Sequence, residues 1–376
     1  MSIGRTELVS GPAGQYSERP KQGVMKELTS VIIGCGMIAR EHLIAISNLK
    51  NVRAAAVCDL SAVRAQATAE RFGVAKWYSK YQDLLSDVRP DLVHITTPPV
   101  SHFPIAKDCL AAGLNVLCEK PITVHYEEFS QLRVMAEANQ CLLLEDQNYR
   151  FQSSIAQVSE LIKSRRLGDV VDVQIFLSLN LYSPGSPYID AHAPYFASSL
   201  RGGVIGDFLT HIAYLTHMFT GSVIDLRTSW NKHRLDSPLP ADEFRALIKG
   251  TRATAYAAFS GNSQPDGFWV RVIGTRMHVE ANLFEPARVR ARRLRSGEPA
   301  LGKLVDGISE GHDVLRGAVM GFWRKLGGWN SYDGLSELVA QTYRSLEKQE
   351  APPISLEEID EVASLVDRFT KPELKL

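Results

Sequence analysis

The richest chemistry in this chain lies in the stretch Gly202-Gly203-Val-Ile-Gly206-Asp207-Phe-Leu-Thr-His211. Asp207 and His211 are four residues apart, so on a helix they share one face, and the glycine pair ahead of them lets a ligand approach that helix closely. An imidazole titrates near neutral pH and takes a proton from a hydroxyl, while a neighbouring carboxylate orients it and stabilises its cation. A capping Asp and a core His would give the same pattern. Lys120, in the turn Glu119-Lys120-Pro121, adds a cation that can polarise a substrate oxygen, although an ordinary surface lysine has the same signature.

A third cluster concerns binding. Gly34-Cys-Gly36-Met37-Ile38-Ala39 puts glycines where a strand-to-helix turn is tight and where backbone must approach a pyrophosphate, and a small residue where helix packs on strand. The helix that follows offers free N–H groups and the positive end of its dipole to phosphates. Asp59 ends the next strand about 20 residues later, where a carboxylate accepts hydrogen bonds from ribose hydroxyls. That carboxylate would repel the 2′-phosphate of NADP and no arginine immediately follows it, so NAD is the expected cofactor and NADP the less favoured one. Asp59 is equally placed to cap the helix beginning near Ser61. Thr97-Pro98-Pro99 forms a rigid turn without backbone donors at its prolines, a flat surface for a nicotinamide or ribose, with His102 close behind.

The elements that must position these residues fall into two patterns. From Ser30 to about Asn148, short apolar runs (30–33, 53–58, 76–78, 92–96, 116–118, 142–145) alternate with amphipathic segments of helical length. This is the signature of parallel strands joined by crossover helices, a doubly wound Rossmann sheet of α/β class over residues 29–150. After Phe151 come a helix, an alternating strand at 170–179 and a Pro/Gly/Tyr-rich loop at 180–201. A helix at 203–219, five strands between 223 and 281 and three closing helices follow, which predicts an α+β domain over 151–376 with a large, mostly antiparallel open sheet. Residues 1–28, rich in Gly, Ser, Pro and charge, are expected to form a disordered arm, with Met25 an alternative start. An apolar stripe at Leu315, Val319, Phe322 and Leu326 within 301–326 reads as a helix packing on the sheet or across a homodimer, or as a membrane-surface helix.

Composition narrows the partners. Lys+Arg and Asp+Glu both number 42, so no net positive field draws this chain to nucleic acid or anionic lipid. The 5 cysteines have no paired metal-ligand spacing and sit mostly in apolar runs, so buried reduced thiols and no metal centre are expected. Neither a secretory leader nor an apolar run of about 20 residues is visible, which predicts a cytoplasmic protein without a membrane-spanning segment. The open sheet, with one face uncovered, predicts a homodimer or homotetramer.

Taken together, the glycine turn, the Thr-Pro-Pro loop, the Glu-Lys-Pro turn and the later Asp and His on one helix resemble the Gfo/Idh/MocA family of oxidoreductases, in order and spacing, over about Ser30 to Asp367. By this resemblance Lys120 is the active-site lysine and Asp207 with His211 the catalytic-helix pair, in an NAD-dependent oxidoreductase acting on a hydroxyl or carbonyl of a sugar, nucleotide sugar or cyclitol. The resemblance also covers glycosidases that use NAD by transient oxidation, and non-catalytic dinucleotide-binding regulators of sugar pathways. Gln147-Asn148-Tyr149-Arg150 resembles the family's hinge, facing cofactor through Asn148 and substrate through Tyr149 and Arg150. The cofactor set is completed by Gly34, Gly36, Met37, Ile38, Asp59, Thr97, Pro98, His102, Glu119 and Lys120. From the loop, whose polar groups include Tyr182, Tyr188, Asp190 and His192, Tyr195 and Arg201 are the expected substrate ligands. Phe208-Leu209-Thr210 between the Asp and the His departs from the small or glycine residue common in the family, a difference that bears on the substrate pocket.

Overall fold

A computed structural model describes residues 27–189, 195–285, 289–292, 299–326 and 332–371; the expected arm, apart from its last two residues, and Asp190 and His192 lie outside these. The first domain alternates β1 (Leu28–Ile33), α1 (Met37–Ser47), β2 (Val52–Cys58), α2 (Ala62–Phe72), β3 (Lys76–Tyr78), α3 (Tyr81–Asp87), β4 (Leu92–Ile95), α4 (His102–Ala111), β5 (Val116–Cys118), α5 (Tyr126–Ala138) and β6 (Leu143–Glu145). All six strands are parallel in the order β3-β2-β1-β4-β5-β6, the doubly wound arrangement that places ligands at the carboxyl edge where strand order reverses. Local chemistry agrees with the topology. Ser61 caps α2 by accepting from the Arg64 N–H at 3.4 Å, and Gly73 ends that helix at φ 66°. The short helix α3 has no counterpart in the sequence reading.

The second domain contains α6 (Ser153–Lys163), β7 (Val170–Ser178), α7 (Gly203–Thr220), β8 (Val223–Asn231), β9 (Glu243–Gly250), β10 (Thr254–Ser260), β11 (Gly267–Gly274), β12 (His278–Asn282) and β13 (Val289–Arg292). Its seven strands run in the order β13-β12-β11-β7-β10-β9-β8, antiparallel throughout except β7 against β10. Alternation along each strand buries one face, as at Val173, Ile175 and Leu177, against Ile205, Leu209 and Ile212 of α7. On the other face Phe176 stacks on Trp269 at 5.7 Å, and Leu247 and Tyr256 are exposed.

Three helices close the chain: α8 (Ala300–Leu326), α9 (Asp333–Lys348) and α10 (Leu356–Thr370). Two of them return to the domain interface. Leu335, Leu338, Val339 and Tyr343 of α9 join the core of the first domain, as does Ile359 of α10, whereas Val362, Leu365 and Phe369 of α10 belong to the second core. The dinucleotide-binding half is therefore completed by residues far beyond 150. The stripe on α8 does not pack on the sheet: Leu315, Val319, Phe322 and Leu326 are all exposed.

Candidate active site

Two backbone turns and one helix converge at the carboxyl edge of the first sheet. The turn after β1 is fixed by steric necessity. Gly34 has φ +100°, and a Cβ there would lie 2.7 Å from the backbone of Thr96 and Thr97, so only glycine lets this turn sit against the end of β4. Gly36, which caps α1, has nothing within 4 Å of where a Cβ would stand, and Met37 beyond it is 93% exposed with Ile38 half-buried behind. This is the open cradle and free helix N-terminus that a pyrophosphate needs. Asp59 is drawn into the same turn: its Oδ2 accepts from the Cys35 N–H at 2.9 Å and its Oδ1 from the Ser61 N–H at 2.9 Å. Both expected roles of Asp59, fixing the helix start and presenting carboxylate to a ribose, are thus compatible. Arg64, not weighed in the sequence, lies 3.6 Å from that carboxylate. Thr97 Oγ1 is buried without a hydrogen-bond partner among the described residues, and Pro98 beside it is exposed. An open cradle, a ribose-ready carboxylate and an unpaired buried hydroxyl fit a dinucleotide lying along this edge.

At the centre, Lys120 Nζ donates to Asp207 Oδ1 at 2.7 Å and to the Asp207 carbonyl at 3.1 Å. Tyr195 donates its hydroxyl to Asp207 Oδ2 at 2.8 Å, so Asp207, almost wholly buried, is saturated by Lys120 and Tyr195. Burial and the Asp207 charge hold the Tyr195 hydroxyl firmly protonated. The chain entering α7 folds back on the helix at Gly206, where a Cβ would come 2.1 Å from the Arg201 carbonyl.

His211 is on the same face, but Asp207 does not hold it as expected. Its Nδ1 bonds Tyr214 Oη at 2.8 Å, and Tyr214 Oη also meets the Tyr149 N–H at 3.2 Å and Asn148 Oδ1 at 3.3 Å. The reason is competition: the ammonium and the phenol occupy both carboxylate oxygens. Tyr149 packs edge-on against His211 at 4.9 Å, and Phe208 lies 5.8 Å below the Lys120 ammonium. Burial, and secondarily the Lys120 charge, pushes the His211 pKa well below 6.5, so the ring is neutral at physiological pH.

Four expected ligands act elsewhere. His102 is fully buried with Nδ1 2.8 Å from the Pro121 carbonyl and Nε2 2.7 Å from the Thr97 carbonyl, so it ties the two turns together and has no face for a cofactor. Burial lowers its pKa against the pull of those two carbonyls. Glu119 points inward, with Oε1 3.1 Å from His42 Nε2 and Oε2 accepting from the Lys120 N–H at 3.2 Å. Arg150 pairs with Glu358 of α10 at 2.6 Å, and Arg201 with Asp367 at 3.3 Å, because the returning helix brings carboxylates that local sequence does not reveal. Tyr214 was missed, although its position three residues after His211 on the same helix was the signal for it. Tyr332, at the start of α9, also lies near Tyr149, Tyr188 and Tyr195.

Within the described residues, His42, Glu119 and Asp146 bring ligand atoms within 4.8 Å of one another. Burial, and next the Glu119 charge, holds the Asp146 carboxyl protonated, and its Oδ1 is buried without a hydrogen-bond partner among the described residues. Four of the free cysteines are buried and Cys141 is partly so, and burial raises the thiols of Cys35 and Cys58 to about 11 and about 12. No helix among the described residues is long and apolar enough to cross a membrane.

Residues 28–147 match an oxidoreductase family with an NAD-binding Rossmann fold, Gfo/Idh/MocA. An uncharacterised oxidoreductase of Synechocystis is 26% identical over 219 residues, 58% of each chain. This chain thus spans under two thirds of that relative. Glucose-6-phosphate 3-dehydrogenase of Bacillus subtilis is 25% identical over 291 residues, 74% of this chain and 77% of that one. The crystal structure of the WlbA dehydrogenase of Bordetella pertussis, in complex with NADH and UDP-GlcNAcA, superposes with a TM-score of 0.74 at 16% identity, covering 93% of this chain and 97% of the other. The cradle at Gly34 to Ala39 and the strand order of the first sheet agree with these matches, and residues 28–147 form an NAD-binding Rossmann fold of the Gfo/Idh/MocA oxidoreductase type.

Proposed function

We propose that this chain is an NAD-dependent dehydrogenase that interconverts a secondary hydroxyl and its carbonyl on a sugar, nucleotide sugar or cyclitol. The observation that carries the reading is the buried triad of Lys120, Asp207 and His211 beside the cradle, in which a cation and a neutral imidazole are held apart by separate partners. NAD, held by Gly34, Gly36, Met37, Ile38, Asp59, Thr97, Pro98 and Asn148, would supply the hydride acceptor at nicotinamide C4. His211, neutral and with Nδ1 occupied by Tyr214, presents Nε2 to take the hydroxyl proton. Lys120 faces the developing alkoxide, and Asp207 fixes the ammonium through two contacts. Tyr195 and Tyr149 complete the polar and aromatic wall against which a hydroxylated ring packs. Relatives named as glucose-6-phosphate 3-dehydrogenase and a complex with UDP-GlcNAcA support the carbohydrate class.

The uncovered sheet face, with Phe176, Trp269, Leu247 and Tyr256, is the surface through which we expect a homodimer or homotetramer to form. The test of function is to denature the purified protein, identify released nucleotide by mass spectrometry, and screen sugars and nucleotide sugars for nicotinamide absorbance. Stoichiometric NADH formation supports the dehydrogenase. Substrate turnover without net NADH would point to a glycosidase acting through transient oxidation, and tight NAD binding without turnover to a sensor.

A further inference from the structure

Helix α7 is buried along almost its whole length. From Gly203 to Thr220 two side chains keep part of their surface uncovered: Phe208 and, near the far end, Met218. Leu209 and Thr210, the neighbours of Phe208, are turned inside. Phe208 follows Asp207 directly, and the Lys120 ammonium lies 5.8 Å over its ring. Phe259 of β10 stacks against the ring at 5.6 Å and 25°, and Tyr188 stands edge-on to it at 6.0 Å. Both supports belong to the second domain, away from the cradle that the first domain offers a dinucleotide. A half-covered aromatic ring beside a buried ion pair is a surface that a small ligand completes.

The floor of the site is therefore flat and apolar, and its rim is polar. Lys120 and His211 stand around it, with Tyr195 held 5.0 Å from Tyr188 and bonded to Asp207 at 2.8 Å. A six-membered ring with equatorial hydroxyls has the complementary form, with C–H faces and a rim of O–H groups. Rings packed together have centroids roughly 4.5–7 Å apart. The ammonium, at 5.8 Å, thus stands level with the rim of a ring lying on Phe208. An axial hydroxyl on the stacked face would press on the phenyl ring, losing water without gaining a partner. A plain arene has the face but not the rim, and leaves the polar groups unmatched.

We propose that Phe208 is a specificity-determining residue, the platform on which a pyranose or cyclitol lies by a face free of axial hydroxyls. The proposal deepens the dehydrogenase reading and rests on it for the reacting group, which is then an equatorial hydroxyl on the rim facing Lys120 and His211.

Titration calorimetry on the full-length protein loaded with NAD tests this. The probes are methyl β-D-glucopyranoside, whose ring hydroxyls are all equatorial, and its 3- and 4-epimers, methyl β-D-allopyranoside and methyl β-D-galactopyranoside, whose single axial hydroxyls lie on opposite faces. Whichever face meets Phe208, one epimer is blocked. The glucoside should bind, and that epimer should bind about five- to 150-fold more weakly, the effect of an unpaired hydroxyl. Phe208→Ala should weaken the glucoside about two- to twelvefold and bring the blocked epimer to within about threefold of it, with NAD affinity unchanged. Phe208→Leu, which keeps apolar bulk without a flat face, should fall between the two and serves where the alanine variant does not fold. Equal binding of all three pyranosides by the wild type overturns the platform, as does discrimination that a folded variant keeps in full, or a Phe208→Ala chain that loses NAD instead of sugar. No saturable binding of the glucoside overturns the ring class. Since binding is read apart from turnover, a wild type that discriminates in this way but never forms NADH overturns the dehydrogenase reading and leaves the platform standing.

Discussion

Replacing Tyr214 by Phe removes one oxygen from a fully buried ring and leaves its volume almost unchanged, so the effect reads the hydrogen bond alone. That oxygen is 2.8 Å from His211 Nδ1; the Tyr149 N–H, its other donor, keeps Asn148 Oδ1 at 2.9 Å. His211 is therefore the group left unsatisfied. A buried polar group without a partner costs about 1–3 kcal/mol, which the ring can relieve only by turning away or by moving its proton to Nε2, the nitrogen that must accept from the substrate. At about 1.4 kcal/mol per tenfold, kcat should fall roughly five- to 150-fold, with KM for NAD unchanged because no atom of the cradle moves. Steady-state absorbance assays on the sugar that reduces NAD, with thermal unfolding as the control for folding, measure this. A folded Tyr214→Phe variant whose kcat stays within about twofold of wild type would refute the claim that this phenol sets the state of His211.

His211→Ala should leave NAD binding intact and cut turnover about 10²–10⁴-fold, as expected for a lost general base. Because the His211 pKa is depressed, the neutral base persists below pH 6.5, and the oxidative kcat/KM should hold its plateau through pH 6.5 and decline only at more acid pH; a midpoint at or above 6.5 would contradict the burial argument. Asp59→Asn should lower the preference for NAD over NADP by about 10–100-fold, through loss of charged hydrogen bonds to the ribose and of repulsion towards the 2′-phosphate, and titration calorimetry with both cofactors checks it. Glu145, buried behind the Ile122 N–H, has its pKa raised from 4.5 to about 7, so its contribution is present below pH 4.5 and lost as pH rises towards 7. Relative to wild type, Glu145→Gln should therefore gain about 2–4 kcal/mol between pH 4.5 and 8 in urea unfolding.

The first sheet was legible because β1, β4, β5 and β6 are almost wholly buried and read as largely apolar runs, and because the turns and Asp59 mark where strands end. Two elements escaped for physical reasons. α3 spans only Tyr81–Asp87, too short for a periodicity, and β13 is a four-residue edge strand, Val-Arg-Ala-Arg, whose two repeats of alternation are too few to mark a strand. Lys120, Asp207 and His211 were legible from residue type and helical spacing, but the partnership among them was not. Spacing shows that Asp207 and His211 share a face; it cannot show that an ammonium from another domain reaches the carboxylate first. The same limit explains Arg150 and Arg201, whose partners Glu358 and Asp367 are over 160 residues away in sequence.

What stands behind Lys120 is a buried relay whose direction follows from hydrogen-bond accounting. His42 Nδ1 lies 2.9 Å from His94 Nδ1, His94 Nε2 lies 2.9 Å from Tyr343 Oη, and His42 Nε2 faces Glu119 Oε1. The hydrogen bond from His42, ahead of the pull of Lys120, keeps the Glu119 carboxyl below its ordinary range despite burial, so it is an acceptor and His42 must donate from Nε2. With a neutral His42 ring, its Nδ1 accepts from His94 Nδ1, and His94 Nε2 accepts from Tyr343. Every proton in the row points at Glu119, and burial keeps His94 neutral, as that order requires. Glu119, fixed at one end, accepts the Lys120 N–H and so anchors the turn that aims the ammonium at Asp207. Tyr343 belongs to α9, which explains why a helix so distant in sequence packs into the dinucleotide-binding domain: it holds the far end of the row on which the position of Lys120 depends.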